Sequence, residues 1–315
     1  MKRTILIALF VNLLSPWIPG QRGGPPRRLD NPVNYTLPGG SRVEFVEFKS
    51  PSLGRKAHYS LLLPPSYFQG NQRFPVIYFL HGMWNDHTSW TVQRYGNIPE
   101  KLEQLMKSGR IPEFIAVHPD GENSFYTDYL DGSLQYEKMV WRDLPEEVDH
   151  RYRTRRERRY RSIGGVSMGG YGAIKIALKH PGLYASAVGF SPIVLLGDDP
   201  SRQIMNPTSR LADYLAEVLK PIYGMPFNPD HWEANSLTHL VKSVQPRGLG
   251  IFLAWGTADR YNDLFPMERG VRTLDRLLSE RGIDHVFKVY EGGPHGWGLV
   301  VQHLEEVLEF LTRTF

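Results

Sequence analysis

The chain of 315 residues contains no cysteine. This excludes a disulfide framework and catalysis by a thiol, so any covalent nucleophile must be a serine, a threonine, a lysine or a carboxylate. Internal repeats of about 20 to 50 residues are also missing, which excludes a solenoid. Apolar residues make up 41% of the chain, enough for the core of one large α/β domain or two small ones.

Long hydrophobic runs are scarce, and the one at the N-terminus is short. Residues 1–20 (MKRTILIALFVNLLSPWIPG) combine a basic start with an apolar run at 5–14. This pattern is typical of a secretory signal peptide, with a retained N-terminal anchor as the alternative. We predict a signal peptide over 1–20, a linker rich in Gly, Pro and Arg over 21–40, and a folded domain over 41–315. We therefore expect a secreted or periplasmic protein with no stable membrane span after cleavage.

Positive charge is in modest excess, with a formal net charge of +4, and much of it lies at residues 151–161 (RYRTRRERRYR). A nucleic-acid surface is one interpretation of this run. No aromatic stacking motif or known binding fold accompanies the arginines, however. We expect a solvated turn that leads into a strand, and no nucleic-acid partner.

Apolar runs alternate with amphipathic segments along most of the chain. Residues 43–48 and 57–64 predict an antiparallel pair of strands at the start. Further strands are predicted at 74–82, 114–121, 160–167, 184–192, 249–257 and 285–292, with helices at 99–108, 144–151, 168–182 and 263–281 and a last amphipathic helix near the C-terminus. This alternation predicts an α/β fold with a mostly parallel central sheet and helices on both faces. Residues 193–246 lack strand signals and contain one helix-like segment at 209–220, so we predict an insertion over the carboxyl ends of the strands, where ligands bind in such sheets.

One serine stands among glycines in residues 165–169 (GVSMG), between a predicted strand and a predicted helix. A serine hydroxyl is a poor nucleophile unless it is exposed, close to a base and next to donors that stabilise an oxyanion. The GxSxG pattern in this context is that of a nucleophile elbow, a strained turn that exposes the hydroxyl. The dipole of the following helix favours negative charge there. Ser167 is therefore the predicted nucleophile.

The base and the orienting acid are predicted from chain order, which in this architecture is serine, acid, histidine. His295 lies in a glycine-flanked loop (EGGPHGWG) after the last strand and is the best candidate base. Asp259 lies near the end of the preceding strand, whereas Asp263 is better placed to cap a helix. The other downstream histidines are less suitable, since they lie in the insertion, at the start of a strand or in the last helix: His231, His239, His285 and His303.

A second oxyanion donor normally follows an early strand. Residues 81–83 (HGM) end such a strand, so we predict that the amides of Met83 and Met168 form the pair, with His81 bracing the loop. His81, Asp86 and His87 could instead bind a metal. No further ligand spacing supports such a site, and we expect neither a metal nor a cofactor.

Several separate motifs occur in order: YFLHGMWNDHTSW, HPDGENSFYTDY, DLPEEVDHRYRT, IGGVSMGGYGAIKIALKHPGLYASAVGFSP, WGTADRYND and GGPHGWG. From about residue 41 onward the chain resembles an esterase family of the α/β-hydrolase fold that includes tributyrin esterases, S-formylglutathione hydrolases, feruloyl esterase domains and antigen 85 mycolyltransferases. The resemblance implies Ser167 as nucleophile, Asp259 as orienting acid and His295 as base, with Met83 and Met168 supplying oxyanion amides. It is greatest for the tributyrin esterase-like and enterochelin esterase-like members. HGMWN in place of HGLTC disfavours S-formylglutathione hydrolase, and GVSMGG in place of GLSMSG disfavours mycolyl transfer.

These features predict a serine carboxylesterase that acts through an acyl enzyme on short-chain or carbohydrate-linked acyl or feruloyl esters. Acyl transfer to an alcohol or sugar is the alternative, and a non-catalytic carbohydrate-binding or scaffold protein on the same fold is a further one. Asp120, Ser124, Phe125, Tyr126 and Asp128 of the DGxxSFYTD segment are expected to shape the loop beside the site rather than to react, with at most a contribution to the pocket. The candidate pocket residues are Trp84, Trp90, Ser124, Tyr126, Trp141 and Trp297.

Overall fold

A computed structural model of the protein describes residues 32–197, 210–262 and 266–315. The strands in this part of the chain are β1 (Tyr35–Thr36), β2 (Arg42–Ser50), β3 (Arg55–Leu63), β4 (Val76–Leu80), β5 (Ile115–Pro119), β6 (Arg161–Val166), β7 (Ser186–Phe190), β8 (Gly250–Ala258) and β9 (His285–Pro294). They form one sheet in the order β1-β2-β3-β5-β4-β6-β7-β8-β9. The pairs along β1, β2, β3 and β5 are antiparallel, and those from β5 to β9 are parallel. The predicted antiparallel start and mostly parallel sheet are both confirmed.

Helices cover both faces of the sheet, as predicted. The α-helices of five or more residues in the described part of the chain are α1 (Ile98–Lys107), α2 (Leu144–Arg151), α3 (Met168–Lys179), α4 (Arg210–Tyr223), α5 (Pro229–Glu233), α6 (Leu237–Ser243), α7 (Met267–Glu280) and α8 (Trp297–Thr312). Apolar residues of α1 and α8 share one core, and those of α2, α3, α6 and α7 share the other. None of these helices is long and apolar enough to cross a membrane.

The central strand β4 shows how the sequence produces two cores. All five residues of VIYFL are buried. Because side chains alternate across a strand, Ile77 and Phe79 enter one core, whereas Val76, Tyr78 and Leu80 enter the other. A continuous apolar run is therefore what a strand covered on both faces requires.

The ordered domain begins before the predicted boundary at residue 41. Strand β1 pairs with β2, and the Tyr35 hydroxyl donates a hydrogen bond of 2.9 Å to the Thr91 carbonyl oxygen. Leu37 is buried in the core that contains α1 and α8. The end of the predicted linker is thus part of the sheet, because its tyrosine and leucine have places in the core. The predicted signal peptide lies outside the described residues, as does Asp263.

The predicted insertion contains more structure than its sequence indicates. Three of the described helices, α4, α5 and α6, belong to it, where one helix-like segment is predicted. Helix α6 packs against α3 and α7 and so forms part of the layer on one face of the sheet. In α4, the Tyr214 ring reaches the loop after β4 and lies 5.8 Å from the Trp84 ring. The insertion therefore both completes a helical layer and extends over the carboxyl edge of the sheet.

The arginine-rich run lies just before β6, at the edge of the sheet opposite Ser167. Its guanidinium groups contact the protein itself: Arg155 and Arg159 stack on the Tyr160 ring at 4.4 and 4.5 Å, and Arg161 pairs with Asp149 at 2.7 Å. These contacts agree with the predicted turn into a strand.

Candidate active site

The backbone of Ser167 is held in a conformation that L-residues rarely adopt. Its φ and ψ are 57° and −115°, at the junction between β6 and α3. Its N–H donates to the Phe190 carbonyl oxygen at 2.8 Å, and its carbonyl oxygen accepts from Tyr171 N–H at 3.0 Å. Such strain persists only where the surrounding structure determines it. The hydroxyl is thereby fixed at the carboxyl edge of the sheet.

Two glycines are required by the close packing of this turn. A Cβ atom on Gly165 would lie 2.3 Å from the Gly169 carbonyl oxygen, and one on Gly169 would lie 2.3 Å from that of Leu80. These are backbone atoms, which cannot rotate away as a side chain can. The GxSxG spacing thus allows α3 to begin against the end of β4.

Ser167, His295 and Asp259 form one chain of hydrogen bonds, which is the arrangement expected from chain order. The Ser167 Oγ lies 2.9 Å from His295 Nε2, and His295 Nδ1 lies 2.6 Å from Asp259 Oδ2. Asp259 is 4% exposed, and its other oxygen accepts from Tyr261 N–H at 2.9 Å. An acceptor at Nδ1 keeps the ring proton there, so Nε2 is available to accept the serine proton.

The loop after β4 lies directly beside Ser167. A Cβ on Gly82 would be 3.5 Å from Ser167 Cβ. The amides of Met83 and Met168 have no hydrogen-bond acceptor among the described residues. Met168 follows Ser167 directly and Met83 follows Gly82, so both N–H groups lie near the nucleophile, where a tetrahedral oxyanion needs donors.

His81 lies in the same loop, is completely buried and holds the loop through hydrogen bonds. Its Nε2 accepts from Gly121 N–H at 2.9 Å, which places the proton on Nδ1, and Nδ1 lies 2.8 Å from the Gly82 carbonyl oxygen. The Tyr126 hydroxyl donates to the His81 carbonyl oxygen at 3.1 Å. Both ring nitrogens of His81 therefore have backbone hydrogen-bond partners. Within the described ranges, no group of three or more His, Cys, Asp or Glu side chains is arranged to hold a metal ion.

Two of the predicted pocket tryptophans lie next to the candidate triad. Trp84 follows Met83 directly and is partly exposed. Trp297 lies two residues after His295, and its indole N–H donates to Asn85 Oδ1 at 2.9 Å. Asn85 in turn donates to the Tyr95 hydroxyl at 3.1 Å. Asn85 therefore ties the loop after β4 to the histidine loop, a role that no local sequence signal indicates.

The structure does not bring the other predicted pocket residues to an accessible surface beside Ser167. Trp90 is 1% exposed and packs on Phe79 at 4.8 Å, within the core. Tyr126 is completely buried, and Ser124 bonds to the Gly121 carbonyl oxygen at 2.6 Å, so both shape their own loop.

Trp141 is a clearer correction. It stacks on His180 at 4.3 Å, and His180 follows the C-terminal end of α3. Ser167 precedes the other end of this twelve-residue helix, about 18 Å away. Trp141 therefore does not line the site, because proximity to a motif in sequence does not place a side chain at the same edge of the sheet.

Three of the four other downstream histidines have partners outside the Ser167–His295–Asp259 group. His285 Nε2 lies 3.0 Å from Asp275 Oδ1, and the His303 ring stacks on Tyr290 at 3.4 Å. His231 Nε2 lies 3.0 Å from the Asp128 carbonyl oxygen.

A buried ion-pair network lies next to the segment that contacts His81. Lys175 of α3 is completely buried, and its Nζ lies 2.9 Å from Glu137 Oε2. Lys175 also donates to the Tyr126 carbonyl oxygen at 2.8 Å, which fixes the segment that braces His81. Burial alone would raise the pKa of Glu137, but the nearby Lys175, His180 and Lys179 outweigh it and hold that pKa well below its usual value.

Comparison with known proteins agrees with this geometry. The family described as "Putative esterase" matches residues 50–311. An "Endo-1,4-beta-xylanase/feruloyl esterase" of Xylanibacter ruminicola is 30% identical over 45% of this chain and 20% of its own length. An esterase of Mycobacterium tuberculosis is 27% identical over 80% of this chain and 55% of its own. The chain thus spans about half the length of these curated relatives, or less.

Solved structures show the same fold. A ferulic acid esterase superposes with a TM-score of 0.69 at 24% identity, covering 87% of this chain and 98% of its own. The α/β-hydrolase fold and the family predicted from the motifs are both confirmed. With a matching family model over 50–311 and this fold, the chain belongs to the esterase family that its motifs resemble.

Proposed function

We propose that the protein is a serine carboxylesterase in which Ser167, His295 and Asp259 are the catalytic triad. The hydrogen bonds of 2.9 and 2.6 Å that join the three side chains carry this proposal. Their order in the chain and the strained serine support the same chemistry, as do the amides of Met83 and Met168, which have no acceptor among the described residues.

Acylation begins when Ser167 Oγ attacks the ester carbonyl carbon and gives its proton to His295 Nε2. The new C–O bond forces the carbonyl electrons onto oxygen, and the amides of Met83 and Met168 stabilise this oxyanion. The buried carboxylate of Asp259 stabilises the imidazolium and holds its ring in place. The tetrahedral intermediate then collapses, the ester C–O bond breaks, and His295 gives its proton to the departing alcohol.

Deacylation repeats these steps with water. His295 Nε2 takes a proton from a water molecule as its oxygen attacks the acyl carbon, and the same two amides hold the second oxyanion. The bond from the acyl carbon to Ser167 Oγ breaks, and Oγ recovers its proton from His295. A carboxylic acid leaves, and the enzyme returns to its starting state.

The substrate is a carboxylic ester with a short acyl chain or a carbohydrate-linked acyl or feruloyl group. Two of the similar proteins are named for feruloyl or ferulic acid ester hydrolysis, which supports testing aromatic esters beside aliphatic ones. Transfer of the acyl group to an alcohol would use the same acyl enzyme. Product analysis with and without a sugar acceptor distinguishes transfer from hydrolysis.

The test is turnover of p-nitrophenyl acetate, p-nitrophenyl butyrate and methyl ferulate by Ser167→Ala. We expect complete loss of hydrolysis and of labelling by a fluorophosphonate, because the attacking oxygen is gone. Ser133→Ala is the matched control, since the Ser133 hydroxyl lies on the surface and donates to Asp131 Oδ1 at 2.6 Å. Retained turnover in Ser167→Ala would overturn the proposal.

We also propose that the mature protein is exported. The basic and apolar pattern of residues 1–20 supports this. N-terminal sequencing of the protein recovered outside the cytoplasm should begin beyond the apolar run. A mature protein that keeps residue 1 in the cytoplasmic fraction would refute export.

A further inference from the structure

The loop that carries the Met83 amide has an unusual backbone. Trp84, the next residue, has a φ of 60°, in the left-handed region that a bulky side chain rarely adopts. The peptide that joins Met83 to Trp84 adjoins this strained residue, so a relaxation of Trp84 to a negative φ would rotate that peptide and displace the Met83 backbone, including its N–H. The oxyanion geometry therefore depends on whatever holds Trp84 in place.

Asn123 makes one of the contacts that hold Trp84. Its Oδ1 accepts a hydrogen bond of 2.9 Å from Trp84 N–H. Its Nδ2 donates a hydrogen bond of 2.8 Å to the Tyr214 hydroxyl, on the insertion helix α4. The Tyr214 ring also lies 5.8 Å from the Trp84 ring, at an interplanar angle of 34°. One amide side chain thus joins the oxyanion loop to the insertion.

The segment that carries Asn123 is anchored by hydrogen bonds on both sides of that residue. Gly121 N–H bonds to His81, and the Glu122 N–H donates to Asp120 Oδ1 at 3.0 Å. A few residues further on, Lys175 holds the Tyr126 carbonyl oxygen. Asn123 is therefore a fixed support for Trp84.

We propose that Asn123 is a positioning residue for the oxyanion hole, and that Tyr214 of the insertion strengthens this role by fixing the Asn123 amide. The inference rests on the proposed function, because it concerns the Met83 amide of the same site. Asn123 acts through Trp84 and touches no reacting atom. The insertion thereby acts on the chemical step as well as covering the site.

The first test is Asn123→Leu, which keeps the size of the side chain and removes both hydrogen bonds. We expect kcat for p-nitrophenyl acetate to fall by about tenfold or more while KM changes by less than about twofold, since an oxyanion donor acts in the transition state. A boronic acid that adds to Ser167 and places an oxygen between the two amides should bind more weakly by a similar factor. If Asn123 contributed only to the stability of the fold, the folded fraction of Asn123→Leu would keep the wild-type kcat and the wild-type affinity for the boronic acid.

The second test is Tyr214→Phe, which keeps the ring beside Trp84 and removes only the hydroxyl. We expect a smaller fall in kcat, about fivefold at most, the usual effect of one neutral hydrogen bond. Because Tyr214 acts through Asn123, the same change made in Asn123→Leu should alter kcat by less than about 1.5-fold. If Asn123→Leu does not fold, Tyr214→Phe alone tests the inference, and an unchanged kcat in this variant would contradict the role of Tyr214.

Matched controls separate these effects from general damage. Asn34→Leu removes another asparagine that accepts from a backbone N–H, that of Phe45, and Tyr290→Phe removes a hydroxyl bonded to Glu306. Neither should change kcat. An unchanged kcat in Asn123→Leu, or additive effects of the two changes, would overturn the inference, whereas turnover by Ser167→Ala would overturn the proposed function instead.

Discussion

Adding one methyl group at Gly169 should separate the two oxyanion donors. A Cβ there would lie 2.3 Å from the Leu80 carbonyl oxygen and 2.6 Å from that of His81. Both atoms belong to the backbone, so Gly169→Ala must move the start of α3 away from the end of β4 by at least about 0.7 Å to reach a contact of 3.0 Å. Met168 moves with the helix, whereas Met83 stays with the loop after β4.

The size of the effect follows from this displacement. A misplacement of about 1 Å in a catalytic group costs on the order of 100-fold in rate, and one lost oxyanion donor costs about 100- to 1000-fold. We expect kcat of Gly169→Ala to fall by about 30- to 100-fold, with KM within about threefold. Overpacking should also lower the free energy of unfolding by about 1–3 kcal/mol.

The neighbouring glycine supplies the control. A Cβ on Gly170 would meet its nearest atoms at 3.2 Å, which requires a shift of only a few tenths of an ångström. Because this displacement is smaller than the one at Gly169, Gly170→Ala should keep its kcat within about twofold of wild type. The higher helix propensity of alanine, up to about 1 kcal/mol, offsets part of the cost of the tighter backbone contacts.

The assay is steady-state hydrolysis of p-nitrophenyl acetate, with active sites counted by fluorophosphonate titration and folding followed by circular dichroism. A folded Gly169→Ala that keeps kcat within about threefold of wild type would refute the reasoning. An equal loss in Gly170→Ala would refute it as well, since the two sites differ in their backbone contacts.

Two further changes test the triad and the buried network. Asp259→Asn should lower kcat by about 10³- to 10⁴-fold in p-nitrophenyl ester hydrolysis with little change in KM, because an amide no longer fixes the His295 proton on Nδ1; activity near wild type would contradict this. Glu137→Gln removes the carboxylate that neutralises buried Lys175 and should lower the free energy of unfolding at pH 7 by about 3–5 kcal/mol. Because the folded-state pKa of Glu137 is lowered, its stabilisation is present above about pH 4.5 and is lost as the pH falls below that value. Thermal melts should therefore show the gap from wild type closing toward pH 3, and a constant gap would refute the assignment.

The sheet, and the meeting of Ser167, Asp259 and His295 at one of its edges, were predictable because their signals are local. Buried strands such as β4 are continuous apolar runs, and Ser167 lies in a five-residue motif whose glycines the backbone requires. His295 and Asp259 each follow a strand, so the parallel sheet brings their loops to the same edge.

The supports of the site were not predictable, because they depend on contacts between distant segments. Asn123 and Tyr214 are separated by 91 residues, and neither stands in a position that periodicity or turn chemistry distinguishes. The same limit explains the errors among the tryptophans. Trp90 and Trp141 stand near motifs in the sequence, but only the packed fold determines that one lies in the core and the other at the far end of α3.

The wide spacing of the proposed triad along the chain also makes activity a strict measure of refolding. The hydrogen bond from His295 to Ser167 joins residues 128 positions apart, and that from Trp297 to Asn85 joins residues 212 positions apart. Contacts between such distant segments form only after the intervening loops have closed, and they form slowly. Helical circular dichroism can return while the sheet is still incomplete. Hydrolysis should return only when the loop after β4, Ser167 and the loop that carries His295 have packed together.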